Sequence, residues 1–210
     1  MNRYTLAARV LPAKGEDFRL ALGTSWPDMK EFLKAHHLTN FSLWQAEDLV
    51  FAYAESLQED LPFARLLAPL TDTLEIFPYP MRLMYSDPGL PREDKSLIRH
   101  RVFMTRLEPG AEEEYKHRHD VLAAQSLEAR GGVPNPGPDS NFTIWNAAGY
   151  IFGYDEIDVT MEHPQTEEER ASAIAWETRM FEIMHWITND CDWISGEHHA
   201  AVQRLAHFSL

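Results

Sequence analysis

Cysteine occurs once in 210 residues, at Cys191, so no internal disulfide can form. A lone thiol fits a reducing compartment. Positive charge is also scarce: 19 Lys and Arg stand against 33 Asp and Glu, for a formal net charge of -14. Such a surface repels phosphate backbones and anionic headgroups, which excludes nucleic acid and membrane surfaces as expected partners. Long apolar runs are missing as well, since no stretch approaches the roughly 20 residues that a membrane span needs. The opening MNRYTLAARVLPAKGEDF breaks its apolar residues with Arg, Lys, Glu and Asp, unlike the uninterrupted core of a signal peptide. These absences lead to the expectation of a cytoplasmic globular protein. Its hydrophobic content, 44%, supplies one larger domain or two small ones.

What the chain does contain is a copy of itself. Asn40–Trp44 (NFSLW) matches Asn141–Trp145 (NFTIW), and the match continues from Leu49–Tyr53 (LVFAY) to Tyr150–Tyr154 (YIFGY). Upstream, Arg9–Phe18 lies over Arg106–Tyr115 in the same order. The second copy is longer between its two matching segments. Gly131–Ser140, rich in Pro and Gly, absorbs the difference as a loop, where insertion is cheap. Ser86–Lys95 has the composition of a linker, which places the first repeat at residues 1–95 and the second at 96–210.

Each repeat reads as a strand (Tyr4–Leu11; Arg101–Leu107), a charged helix and two short aromatic and β-branched runs. A second helical stretch (Leu61–Phe77; Glu167–Thr188) and a closing apolar run (Met81–Met84; Leu205–Leu210) follow. The order β-α-β-β-α-β predicts an α+β fold of two tandem ferredoxin-like units, with helices on one face of each antiparallel sheet. Packing the two sheets face to face as a pseudo-dimer would cover the remaining faces, leaving a ligand cavity between sheet and helix. Further homo-oligomerisation is left open.

At this level the sequence resembles the L-rhamnose mutarotase family, cofactor-independent isomerases with a dimeric α/β-barrel fold. The second copy carries the family's Glu-Glu-Tyr as Glu113, Glu114 and Tyr115, followed four residues later by His119, with Ala123-Ala124 where the family has Trp-Pro. The first copy keeps Trp26-Pro27 but has Phe18 and Leu22 in place of the Tyr and His. Both copies keep the hairpin Asn, followed by Phe41 and Phe142 where the family has Tyr. The family's sugar-holding Trp pair is replaced by Phe77-Pro78 and by Ile183-Met184. The resemblance implies interconversion of the anomers of a deoxyhexose or related aldose, with no cofactor.

Tyr115 and His119 fall one turn apart on one face of a predicted helix over residues 112–130, beside Leu122 and Ser126. Opening a pyranose needs a proton on the ring oxygen and removal of one from the anomeric hydroxyl. An imidazole can move protons near neutral pH, so His119 is the acid–base candidate, and Tyr115 would orient it or bind a hydroxyl. The plainer reading makes both amphipathic residues at the rim of the core. Phe18, Leu22 and Trp26 repeat the stripe without any proton-moving group, so the first copy reads as core, although Trp26 could stack on a sugar face. Phe142, Trp145 and Trp186, with Trp44, would suit a planar ligand. That leaves two competing functions: a dimeric-barrel enzyme acting on aromatic or polyketide-like molecules, and a binding protein without turnover. The histidines of the second copy do not have metal spacing. His117 and His119 point about 200° apart on a helix of 3.6 residues per turn, and His198 and His199 diverge in any regular structure, so no metal is expected.

Overall fold

The computed structural model describes residues 1–90, 92, 94–188 and 201–210. Cys191, His198 and His199, and part of the expected linker, lie outside the described residues. The chain divides into two compact units, Met1–Met81 with Val202–Leu210, and Arg82–Ala201.

In the first unit β1 (Asn2–Val10) leads into α1 (Gly15–Ala35), then β2 (Thr39–Ala46), β3 (Leu49–Ser56), a 3-10 helix (Phe63–Leu70) and β4 (Leu74–Ile76). β5 (Arg82–Asp87) opens the second unit, followed by a 3-10 turn at Lys95–Leu97 and β6 (Ile98–Leu107). α2 (Glu112–Ala129), β7 (Asp139–Ala147), β8 (Tyr150–Asp158), α3 (Glu167–Met180) and β9 (Met184–Thr188) complete it. β10 (Gln203–Phe208) belongs to the first unit. The two antiparallel sheets have matching orders, β10-β2-β3-β1-β4 and β5-β7-β8-β6-β9.

Three expectations change. The runs expected to close their own repeats are fifth strands that join the other sheet: β5 pairs with β7, and β10 pairs with β2. The fourth strand of each ferredoxin-like unit is instead β4 or β9, lying along β1 or β6. Both lie inside the stretches that the sequence predicts as helical. The first stretch forms only a 3-10 helix, with Pro62 at its cap and Pro69 inside it, where a missing N–H works against an α-helix. The second stops at Met180, capped by Phe181, and the following Met-His-Trp-Ile-Thr is extended, as a short apolar run can be in either state.

The hairpin asparagines have a backbone reason. Asn40 and Asn141 both adopt left-handed φ, 49° and 53°, at register shifts between Thr39 and Ser42 and between Ser140 and Thr143. A bulge needs a residue that tolerates positive φ, and Asn is among the few that do. Beyond the bulges the strands align identically, Trp44 opposite Phe51 and Trp145 opposite Phe152.

α1 turns Phe18, Leu22, Met29 and Leu33 inward at helical spacing. They meet Leu6, Leu43 and Ala52 of the sheet, and Phe63, Leu66, Leu67 and Leu70 of the 3-10 helix fill the same core. α2 buries only Tyr115 and His119, and its outer face is tied by the i,i+4 ion pairs Glu114–Arg118 and Lys116–Asp120. α3 opens with a capping box between Thr166 and Glu169, and its first-turn acids suit the positive end of the helix dipole. Among the described residues no helix is long and apolar enough to cross a membrane.

Leu22, 8% exposed, is part of the first unit's hydrophobic core. Leu22→Ala should therefore lower stability by about 2–5 kcal/mol through lost transfer energy and the cavity left behind, measured by urea denaturation.

Candidate functional site

The second unit contains a cavity of about 220 Å³ between its sheet and its two helices. Tyr115, His119 and Leu122 of α2 form one wall, and Trp176, Glu177 and Met180 of α3 another. Met184 and Trp186 of β9 close one side. The floor is Arg101 and Phe103 of β6 with Phe142 and Ile144 of β7, and Tyr85 enters from β5.

A well-packed core leaves no such space, so particular residues must keep it open. The first is Gly153. It sits opposite Phe103 in the β6–β8 ladder, and a Cβ there would run into the Phe103 ring. Without that atom the ring lies across the strand, where it contacts Phe142 (6.3 Å) and Trp186 (5.6 Å) edge to face. The first unit pairs Leu6 with Ala52 at the matching place. The second is the element above the sheet: the first unit fills its core from a leucine-rich 3-10 helix, whereas α3 presents Trp176, Glu177 and Met180.

His119 is 6% exposed. Its Nδ1 lies 2.9 Å from the carbonyl oxygen of Tyr115, one helical turn back. A carbonyl only accepts, so Nδ1 carries the hydrogen and donates it, and Nε2 is left with a lone pair. The imidazole stacks on the Tyr115 ring at 4.3 Å and takes edge contacts from Trp176 (5.1 Å) and Tyr85 (5.6 Å). Burial lowers its pKa to about 4, against the smaller opposing effects of the Tyr115 carbonyl and Asp120. At neutral pH it is an uncharged ring that accepts at Nε2.

The phenols do not ionise near neutrality. Burial pushes Tyr85 up to about 12, with the Asp87 carboxylate adding to it, and raises Tyr115 further. Glu177, 1% exposed, accepts a hydrogen bond at Oε1 from Trp186 Nε1. Arg101 donates from Nη2 to Asp155 Oδ2 at 2.8 Å, and its guanidinium lies 5.9 Å from the centre of the Phe142 ring. Burial holds the Asp155 carboxyl well above the usual carboxylate range, against the pull of Arg101 and helped by neighbouring Asp139.

Of the residues singled out from sequence, Tyr115, His119, Phe142 and Trp186 meet at this cavity. Trp145 does not. Ile144 faces the cavity, so strand alternation turns Trp145 to the opposite face of the sheet. Trp26 belongs to the first unit, where it stacks on Phe41 at 5.9 Å and lines a separate shallow groove with Arg19, Leu22 and β10. Tyr85, Arg101, Phe103, Trp176 and Glu177 were missed. Glu177 reads in sequence as one more acid on a charged helix, and Tyr85 as part of the first repeat. Among the described residues no group of three or more His, Cys, Asp or Glu side chains is placed to hold a metal ion, and His117 is exposed while His119 is buried.

No protein-family model matches the chain. Two L-rhamnose mutarotases of Listeria monocytogenes, from serotype 4b and serovar 1/2a, are each 37% identical to it over 57 residues, 26% of this chain and 55% of theirs. The chain thus matches about half the length of these curated relatives. Among solved structures, a presumed monooxygenase of Fusobacterium nucleatum aligns with a TM-score of 0.47 and 9% identity, covering 99% of this chain and 94% of that one. An anthrone oxidase-like protein aligns with a TM-score of 0.47 and 12% identity over 99% and 92% of the two chains.

Two outcomes test the cavity. Gly153→Ala should displace the Phe103 ring and be destabilising, whereas the double change Gly153→Ala with Phe103→Leu, the first unit's pairing, should recover stability, as measured by thermal melting. For His119 the folded pKa lies below the ordinary 6.5, so the unfolded chain takes up the proton first as pH falls. The His119 contribution is intact above pH 6.5 and lost progressively towards pH 4, on the order of 3 kcal/mol in all. Urea titrations at pH 7 and 4.5 should show that component in the native chain and not in His119→Leu.

Proposed function

We propose that the second unit is a cofactor-independent isomerase of mutarotase type, acting on a single-ring deoxyhexose or related aldose. The observation that carries this reading is His119: a buried, uncharged imidazole tied at Nδ1 to a backbone carbonyl, with Nε2 as its acceptor, at the wall of the cavity. Nε2 takes the proton of the anomeric hydroxyl while the ring oxygen is protonated. The bond between the anomeric carbon and the ring oxygen breaks, giving the open-chain aldehyde, and reclosure on the other face returns both protons. The volume of about 220 Å³ falls below the usual range for drug-sized ligands and favours one ring. The aromatic walls suit the C–H face of a pyranose. Partial similarity to L-rhamnose mutarotases supports the same class. The matching sheet orders and hairpin registers support descent from a duplicated unit whose first copy has become packing.

A second reading has an observation of its own. Six of the cavity's residues are aromatic, Tyr85, Phe103, Tyr115, Phe142, Trp176 and Trp186, a lining that favours a planar aromatic compound. Saturation-transfer NMR separates the two. Under the first reading the protein accelerates exchange between the anomers of L-rhamnose, and under the second it leaves exchange unchanged while binding simple aromatic acids.

His119→Ala should lower the anomeric exchange rate by about 10²- to 10⁴-fold, since alanine cannot move a proton, while Leu22→Ala keeps turnover. If His119→Ala retains most of the activity and substitutions at Trp26 abolish it, the working site is not this cavity.

A further inference from the structure

We infer that Glu177 is the second proton-transfer group of the cavity, acting with His119 from the facing helix. This rests on the isomerase reading and adds to it a residue and a division of roles.

The requirement comes from His119 itself. With Nδ1–H donated to the Tyr115 carbonyl, the imidazole offers the cavity one acceptor and no proton. Ring opening consumes a proton at the ring oxygen while it releases one from the anomeric hydroxyl, so a donor must share the space. Among the described lining residues, the Arg101 guanidinium is committed to Asp155, and the hydroxyls of Tyr85 and Tyr115 hold their protons more tightly than an ordinary phenol. Glu177 is the remaining lining side chain able to give and take a proton readily.

Its position is unusual for its helix. The acids of the first turn, Glu167, Glu168 and Glu169, are exposed, whereas Glu177 is 1% exposed, between Trp176 and Met180 on the cavity side. Trp186 Nε1–H donates to Oε1, which orients the carboxyl group. Burying a carboxyl is unfavourable for folding unless something is gained by it. The first unit shows what packing alone selects: Leu22 at the place of His119, and Phe63, Leu66, Leu67 and Leu70 over its sheet where α3 brings Glu177. The second unit has a titratable group in both places.

The step balances without a further reactant. Glu177 in its acid form gives its proton to the ring oxygen as His119 Nε2 accepts that of the anomeric hydroxyl. The carbon–ring oxygen bond breaks, the carbonyl forms, and reclosure reverses both transfers.

The test is Glu177→Gln, which keeps size and an acceptor for Trp186 but cannot donate an acidic proton. With L-rhamnose as probe, exchange should fall roughly 10²-fold or more. One limb of the native pH–rate profile should disappear, a change that a merely structural role would not produce, and a thermal melt close to native confirms folding. Exchange within a few-fold of native, with both limbs kept, overturns the proposal. If the native protein does not accelerate exchange at all, the isomerase reading fails by itself. The His119 imidazole titration followed by NMR then decides the pairing, because groups that share a cavity are coupled. A shift of that titration in Glu177→Gln supports the pair, and an unmoved titration overturns it.

Discussion

The second unit depends on an atom that is not there. Close packing is the default state of a protein interior, and any space larger than a water molecule has to be held open against it. At Gly153 the missing Cβ lets the Phe103 ring lie across the neighbouring strand, so the ring becomes part of a floor. The rest of the cavity follows from that floor. Phe142 and Trp186 meet the edge of the ring, Trp186 reaches Glu177, and α3 spans the space with side chains that wall it in. In the first unit, Leu6 over Ala52 and a leucine-rich 3-10 helix produce a filled core from the same strand order.

A largely apolar space changes the chemistry of the polar groups on its walls. Burial penalises charge, so the imidazole of His119 is held neutral and the phenols hold their protons. Three of the polar groups are oriented by hydrogen bonds: His119 by the carbonyl one turn back, Glu177 by an indole N–H, Arg101 by Asp155. These contacts place hydrogen-bonding atoms without filling the cavity. Low local dielectric also strengthens whatever interaction a ligand makes there.

Much of this was legible in the chain. The repeat of NFSLW as NFTIW marks two hairpins, and each asparagine proves to sit at a bulge with left-handed φ. The four-residue spacing of Tyr115 and His119 puts them on one helical face, and both are buried there. β4 and β9 were not legible, because a strand of three to five residues next to a helix has too little periodicity to separate it from that helix. The aromatic character of Trp145 does not report the face of the sheet on which it stands.

The sequence by itself determined the α+β class, the order of the main elements and the placement of Tyr115 and His119 on one face of α2, since these follow from local periodicity, turn residues and spacing along one element. Only the tertiary structure decided which strand completes which sheet, that Tyr85 from the end of the first repeat faces His119, and that Glu177, one acid among many on α3, is buried at the cavity. Strand partners and burial are set by contacts between residues far apart in the chain. The hydrogen-bonding edges of a strand are alike along its length, and nothing local in Arg82–Asp87 records that its partner is β7.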